Sequence, residues 1–106
     1  MTTSRLDTLR DMVRRNPTNA AARFGLANEL MKAQLWDEAG EHLREYLTSH
    51  EDEGNGWGRL ADILERQGDT AAAREALETG ARKATQHGHP SLASEFEMRI
   101  EELDDA

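Results

Sequence analysis

The sequence contains a short internal repeat. When residues 20–50 are aligned with residues 54–84, six of the thirty-one aligned positions carry identical residues. The identical pairs are Leu26/Leu60, Ala27/Ala61, Leu30/Leu64, Ala39/Ala73, Glu41/Glu75 and Leu43/Leu77. Five of the six pairs are apolar and recur at spacings that place them on one side of a helix. A repeat unit of about 34 residues is long enough for two helices and a turn, so the repeat predicts two similar helical hairpins.

The amino-acid composition favours helices throughout the chain. Ala, Leu, Glu and Arg are the commonest residues, β-branched Ile and Val are scarce, and the two prolines lie at positions 17 and 90. Gly68 follows the fourth apolar stripe, where a helix end favours a left-handed residue, and Asp69 or Thr70 can cap the next helix. The periodicity predicts six helices, over residues 4–15, 19–33, 36–49, 56–67, 71–86 and 91–103.

The repeated residues resemble those of the tetratricopeptide repeat (TPR), a helix–turn–helix unit of about 34 residues. The second copy supplies Trp57, Leu60, Ala61, Leu64, Gly68, Ala73 and Leu77, and the first copy supplies Leu26, Ala27, Leu30, Trp36, Ala39, Leu43 and Tyr46. The first copy departs from the family pattern at Arg23, where a bulky residue is expected. The second copy carries Gly80 where the first carries Tyr46. We expect Trp36 and Trp57 to belong to the core.

The resemblance implies an all-α fold, a right-handed α-solenoid of about six antiparallel helices. A single domain is expected over residues 1–106. It would consist of a leading helix at 4–17, repeats at 20–53 and 54–87, and a capping helix at 88–106. Leu9 and Met12 match the second helix of an earlier unit, and Leu92, Ala93 and Phe96 match the start of another first helix. The acidic last helix fits the polar end that a stack of repeats needs.

Charge and composition narrow the functional class. The chain has 13 basic and 21 acidic side chains, a net charge of −8, and no cysteine. A net acidic surface repels phosphate, so we expect neither nucleic-acid binding nor association with anionic membranes. The missing cysteines exclude disulfides and thiol catalysis. The N-terminal residues show no signal peptide, no apolar run is long enough to span a membrane, and a cytoplasmic location is therefore predicted.

The TPR resemblance implies a binding groove on the concave face, lined by the first helix of each unit. The residues predicted to line this groove are Phe24, Asn28, Met31 and Lys32 in the first copy and Arg59, Asp62 and Arg66 in the second. The apolar pair would hold an anchor of the ligand, and the polar groups would orient an acidic or carboxylate group. We therefore predict a non-enzymatic interaction module whose partner is a protein or peptide and which needs no cofactor.

Two alternatives belong to other functional classes. Exposed apolar edges at the first or last helix would allow copies of the chain to assemble into a homo-oligomer with a structural role. His87 and His89 would contribute to a metal or enzyme site if a further ligand lay nearby. The chain has no phosphate-binding glycine motif and no H-E-x-x-H motif, and its Ser, His and Asp residues do not suggest a catalytic triad. Consequently no catalytic or metal-binding residue is predicted.

Overall fold

The computed structural model describes residues 4–105, and the regular elements within this range are all α-helices. The six helices are α1 (Arg5–Arg15), α2 (Ala20–Lys32), α3 (Trp36–Ser49), α4 (Asn55–Arg66), α5 (Thr70–Gln86) and α6 (Pro90–Asp105). Each predicted helix is confirmed, with its ends within two residues of the expected positions. Pro90 does not end a helix but is the first residue of α6. An amide at this position would have no acceptor within the helix, so a proline here costs no helical hydrogen bond.

The helices group into two compact units, Met1–His50 and Glu51–Ala106. In the first unit α2 packs against both α1 and α3, and in the second unit α5 packs against both α4 and α6. Each unit therefore has one central helix between two flanking helices.

The turns that follow α2 and α4 have the same backbone conformation, as expected for two copies of one repeat. Gln34 and Gly68, which occupy equivalent positions in the two copies, both have positive φ, +60° and +80°. The amide of the next residue bonds back to the helix in each case: Leu35 N donates to Leu30 O, and Asp69 N donates to Leu64 O, both at 2.9 Å. The predicted left-handed turn at Gly68 is confirmed, and the same turn in the first copy uses a glutamine.

The repeated small and large residues form the two cores. In the first unit Leu26, Ala27, Leu30, Ala39 and Leu43 are fully buried, and in the second Ala61, Ala73 and Leu77 are fully buried, with Leu60 and Leu64 nearly so. Alanine at a helix crossing lets two helices approach closely, while leucine fills the space on either side. The two tryptophans, Trp36 and Trp57, are only half-buried, so they border the cores and do not fill them.

The departure from the TPR pattern at Arg23 has a structural reason. Its guanidinium lies 3.0 Å from Nδ1 of His42 on α3 and donates to the carbonyl of Pro17 at 3.0 Å. The charged side chain thus joins α2 to α3 and to the preceding loop. Burial lowers the pKa of His42, and the neighbouring Arg23 charge lowers it further. A guanidinium N–H can only donate, so Nδ1 of His42 is the accepting atom in this contact.

Two glycines in the second unit make room for an aromatic ring. A Cβ placed on Gly58 would lie 2.7 Å from Cζ of Phe96, and a Cβ placed on Gly80 would lie 2.9 Å from Cε2 of the same ring. Both distances are too short for a carbon–carbon contact. Phe96 is 3% exposed. The ring of α6 therefore occupies the space that a side chain at Gly58 or Gly80 would fill, and we call this space the glycine notch.

Asp52 lies in the acidic segment that precedes α4, but it is buried, with 6% of its surface exposed. Its Oδ1 accepts hydrogen bonds from the amides of Gly54 and Gly56, both at 2.8 Å. These bonds satisfy amides at the start of α4 that have no helical acceptor. The side chain of Asp52 therefore caps the start of α4, where Gly54 occupies the N-cap position.

Replacing Asp52 with alanine is expected to lower the free energy of unfolding by about 1–3 kcal/mol, because two amides lose their acceptor. Asp52→Asn keeps an accepting oxygen and should retain most of the stability. Urea denaturation of the two variants beside the wild type measures both changes. Equal losses in the two variants would contradict the capping role.

Candidate functional site

Three of the predicted groove residues share one side of α2. Phe24, Asn28 and Met31 follow one another at four- and three-residue spacing, and all three are half-buried. Lys32 lies one turn beyond Asn28 and is exposed. We call these four residues the α2 face.

The Phe24 ring is held from the neighbouring helix. Its centroid lies 4.8 Å from that of Tyr46 on α3, and the Tyr46 ring lies 4.9 Å from the His50 ring. Tilted aromatic pairs at this separation attract one another beyond simple area burial. Phe24 therefore has a fixed position while part of its ring stays accessible.

Asn28 has a buried oxygen that accepts no hydrogen bond. Among the buried side-chain nitrogen and oxygen atoms of residues 4–105, Oδ1 of Asn28 is the one without a hydrogen-bond partner. Leaving such an acceptor buried and unsatisfied costs about 1–3 kcal/mol. Asn28, which lies between two partly exposed apolar side chains on the α2 face, therefore holds a buried acceptor.

The other three predicted residues share one side of α4. Arg59, Asp62 and Arg66 lie at three- and four-residue spacing, with the two arginines exposed and Asp62 half-buried. We call these residues the α4 face. The seven predicted residues are thus divided between the two units, four on α2 and three on α4.

The carboxylate of the α4 face is paired with a residue that sequence reasoning missed. Arg99 of α6 donates from Nη2 to Oδ1 of Asp62 at 2.6 Å and to Oε2 of Glu65 at 3.0 Å. Arg99 is the single basic residue of α6. A lone arginine in an otherwise acidic helix is the sequence signal that could have identified Arg99 as an ion-pair partner. Arg99 places one positive charge against two carboxylates of α4, and Arg59 and Arg66 add two more positive charges on the same helix.

The two histidines considered for a metal site each lie next to a glutamate carboxylate. Nε2 of His89 lies 2.5 Å from Oε1 of Glu53, and Nε2 of His87 lies 3.5 Å from Oε1 of Glu51. The hydrogen bond from Lys83 holds the pKa of Glu51 below its usual range, and that from His89 does the same for Glu53. Within residues 4–105, no group of three or more His, Cys, Asp or Glu is arranged to hold a metal ion. None of the described helices combines the length and apolar composition needed to cross a bilayer.

Comparisons with known proteins agree with the resemblance to the tetratricopeptide repeat. The sequence model of a family described as tetratricopeptide repeat matches residues 6–56 and, again, 24–89. The TPR repeat-containing protein PA0015 of Pseudomonas aeruginosa is 31% identical over 101 residues, which cover 95% of this chain and 96% of that protein.

Solved structures of other proteins have a fold similar to that of this chain. The solution structure of protein BPP2914 from Bordetella parapertussis matches with a TM-score of 0.82 and 27% identity, over 98% of this chain and 90% of that one. The crystal structure of MamA matches with a TM-score of 0.67 over 97% of this chain and 76% of that one. At 13% identity the second likeness concerns the fold alone. Together the two likenesses show an all-α helical-repeat fold.

Proposed function

The chain belongs to the tetratricopeptide repeat family, and from that premise we propose that it is a non-enzymatic interaction module that binds a peptide or helix of a partner protein. TPR repeats are generally protein-interaction modules. In this proposal the α2 face of the first unit is the principal contact of the ligand. The cytoplasmic location and the absence of a cofactor stay predictions from the sequence.

The unsatisfied oxygen of Asn28 is the observation that carries the proposal. An acceptor buried without a donor destabilises the free protein, and a ligand N–H that reaches it relieves this cost. Phe24 and Met31, on the turns before and after Asn28, offer apolar surface for a side chain of the same ligand. A peptide segment supplies both groups, since each residue carries a backbone N–H beside its side chain.

The α4 face favours a ligand with an acidic group. Exposed guanidinium groups pair with carboxylates in bidentate geometry, and Arg59 and Arg66 lie on the same side of α4. Asp62 opposes such a ligand only weakly, because its carboxylate is paired with Arg99. An aspartate, a glutamate or a terminal carboxylate of a partner is therefore the group expected at the α4 face, and an apolar side chain is the group expected at the α2 face.

Selection from a displayed random-peptide library tests this ligand chemistry. We expect the selected peptides to share one large apolar residue and an acidic group. Met31→Lys should weaken their binding by tenfold or more, because it places a charge in the apolar part of the face. Met98→Lys makes the same change on α6, where the side chain is 63% exposed, and should leave affinity unchanged. Equal effects of the two substitutions would contradict the site.

Asn28→Leu separates a binding role from a structural one. Removing an unsatisfied buried acceptor is expected to raise the free energy of unfolding by about 1 kcal/mol. The same substitution should weaken binding of a selected peptide roughly tenfold, because one hydrogen bond is lost. Urea denaturation and isothermal titration calorimetry measure the two effects. Lower stability together with unchanged affinity would show that Asn28 supports the fold and not the ligand.

A further inference from the structure

Arg23 and His42 form a contact that requires an unprotonated nitrogen on the imidazole. Nη1 of Arg23 lies 3.0 Å from Nδ1 of His42, and a guanidinium group has donors but no acceptor. Nδ1 therefore carries no proton in this contact. A protonated imidazole donates from both ring nitrogens, so it would bring two N–H groups and two positive charges against each other. Protonation of His42 is consequently incompatible with the position that Arg23 occupies.

The charged groups around His42 come from all three helices of the first unit. Arg23 on α2 and Arg10 on α1 oppose a positive charge on the imidazole, whereas two glutamates of its own helix favour it. Of these, Glu41 is exposed to water, and Glu38 lies 4.0 Å from Nε2 of His42. Both oxygens of Glu38 accept hydrogen bonds from Arg10, each at 2.8 Å. Because these two charges balance each other, the charge of Arg23 has the largest electrostatic effect on His42.

Burial of the His42 ring acts in the same direction. Its side chain is 22% exposed. Loss of hydration is the largest cause that lowers its pKa, and the charge of Arg23 follows. The folded chain therefore protonates His42 less readily than the unfolded chain, in which an imidazole titrates at about pH 6.5. The stabilisation from the neutral ring is complete above that pH and is lost as the pH falls from there through the pKa of the folded chain.

Arg23 also holds the start of α2, which carries the proposed binding residues. Its Nη2 donates to the carbonyl of Pro17 at 3.0 Å, so one guanidinium joins the loop before α2 to α3. The next residue, Phe24, belongs to the α2 face, and its ring centroid lies 4.8 Å from that of Tyr46. Tyr46 follows His42 by about one helical turn on α3. The Arg23–His42 and Phe24–Tyr46 contacts are therefore neighbouring contacts between the same two helices.

We propose that acid weakens ligand binding at the α2 face by protonating His42 and displacing Arg23. The inference rests on the proposed function, because it concerns the regulation of the same site. Once Arg23 is displaced, the first turns of α2 lose their link to α3 and to the preceding loop, and Phe24 loses its fixed position. A ligand then binds more weakly, because it has to order the face on binding. Arg23 and His42 are thus positioning residues, which act on the ligand through Phe24.

Isothermal titration calorimetry at two pH values tests the proposal. A selected peptide without histidine and with an acetylated N-terminus is titrated into the full chain at about pH 7.5 and at about pH 5.5. Imidazoles titrate in this range, whereas most carboxylates stay ionised. We expect the affinity to fall about fivefold or more at the lower pH, which is the scale of a typical coupling between two sites.

The possible outcomes separate this inference from the proposed function. Equal affinities at the two pH values would overturn the inference and leave the proposed function standing. A peptide whose affinity is unchanged by Met31→Lys would contradict the proposed function and, with it, the inference.

Two substitutions distinguish the charge of His42 from its packing. His42→Asn keeps an accepting oxygen close to the position of Nδ1 but takes up no proton, so its affinity should match that of the wild type at about pH 7.5 and stay unchanged at about pH 5.5. Arg23→Met keeps an unbranched apolar stem but removes the guanidinium, so its affinity should be low at both pH values. Circular dichroism checks that each variant keeps its helix content. A loss of affinity in acid that persists in His42→Asn would overturn the proposal.

Matched controls address other histidines that titrate in the same range. His87→Asn makes the same substitution in the second unit, and His50→Asn makes it on a ring that lies 4.9 Å from that of Tyr46. Both variants are expected to keep the wild-type loss of affinity in acid. If His50→Asn abolishes the pH dependence, the effect belongs to His50 and the role of His42 is wrong.

NMR titration of the isotope-labelled chain follows the same step at the level of single residues. In the free chain, the resonances of Arg23 Nε–H and of the Phe24 ring should shift with the same midpoint as the His42 ring. Because coupling between two binding events is reciprocal, saturating peptide should move the midpoint of His42 to lower pH. A midpoint that the peptide leaves unchanged would contradict the coupling between His42 and the α2 face.

Discussion

Replacing Phe96 with alanine is expected to lower the free energy of unfolding by about 3–5 kcal/mol. The ring is 3% exposed and occupies the glycine notch, where it lies against both Gly58 on α4 and Gly80 on α5. Its removal leaves a cavity at the junction of the three helices of the second unit. Since a domain of this size is stable by about 5–15 kcal/mol, the loss is a large part of the total. Urea denaturation followed by circular dichroism measures it.

The glycine notch also predicts that substitutions at Phe96 and Gly80 have coupled effects on the free energy of unfolding. Gly80→Ala alone should destabilise the protein, because the new Cβ collides with the Phe96 ring and with Cβ of Trp57. In the Phe96→Ala background the ring collision is gone, so the same substitution should cost less. A double-mutant cycle measures this coupling, expected at about 0.5–3 kcal/mol. Additive effects would show that Phe96 and Gly80 do not share one space. Met98→Ala, on the exposed side of α6, serves as the near-neutral control.

The second large effect is expected at the repeated leucines. Leu43→Ala and Leu77→Ala should each lower the free energy of unfolding by about 2–5 kcal/mol, because both side chains are fully buried. The two residues occupy equivalent positions of the repeat and belong to different units, so each reports on the core of its own unit. Thermal and urea unfolding of the two variants provide the comparison.

Leu35→Ala is the matched control for this prediction. Leu35 is 42% exposed at the turn between α2 and α3, so its truncation should change stability by no more than about 0.5 kcal/mol. A loss at Leu35 as large as that at Leu43 would contradict the assignment of the core from the repeat.

Much of the fold could be predicted because local and repeated signals agree. Helix-forming composition, the spacing of Leu and Ala, and the turn at Gly68 all point to the same helices. The alignment of the two copies also identified the apolar residues that recur on one side of the helices, and these residues are buried in the structure. These signals depend on neighbours in sequence, or on a comparison of the sequence with itself, and both are available without a structure.

The features that could not be predicted depend on contacts between distant parts of the chain. Arg23 was recognised as a departure, but its partner His42 lies nineteen residues away. The space left by Gly80 was noted, but not that Phe96 of α6 fills it. Asp52 lies between two other acidic residues, a composition typical of a solvated loop, although its carboxylate is buried against two amides. A specific polar pair or cap has no periodic signature, so the sequence pattern does not reveal it.

The candidate site stays a prediction. The resemblance named the residues of the α2 and α4 faces, and helical spacing places them on common sides of their helices. The pairing of Asp62 with Arg99 was missed, because it links helices that are far apart in the sequence. The unsatisfied oxygen of Asn28 is likewise a property of packing, because burial removes water from an atom that the sequence shows only as an amide.

Chemical-shift mapping on the isotope-labelled chain tests the central claim most directly, namely that the α2 face receives a partner peptide. A selected peptide with an apolar anchor and an acidic group is titrated into the protein. We predict the largest shift changes at Phe24, Asn28 and Met31, including the side-chain amide of Asn28. Shift changes confined to α6, or no change at α2 with a peptide that binds, would contradict the account.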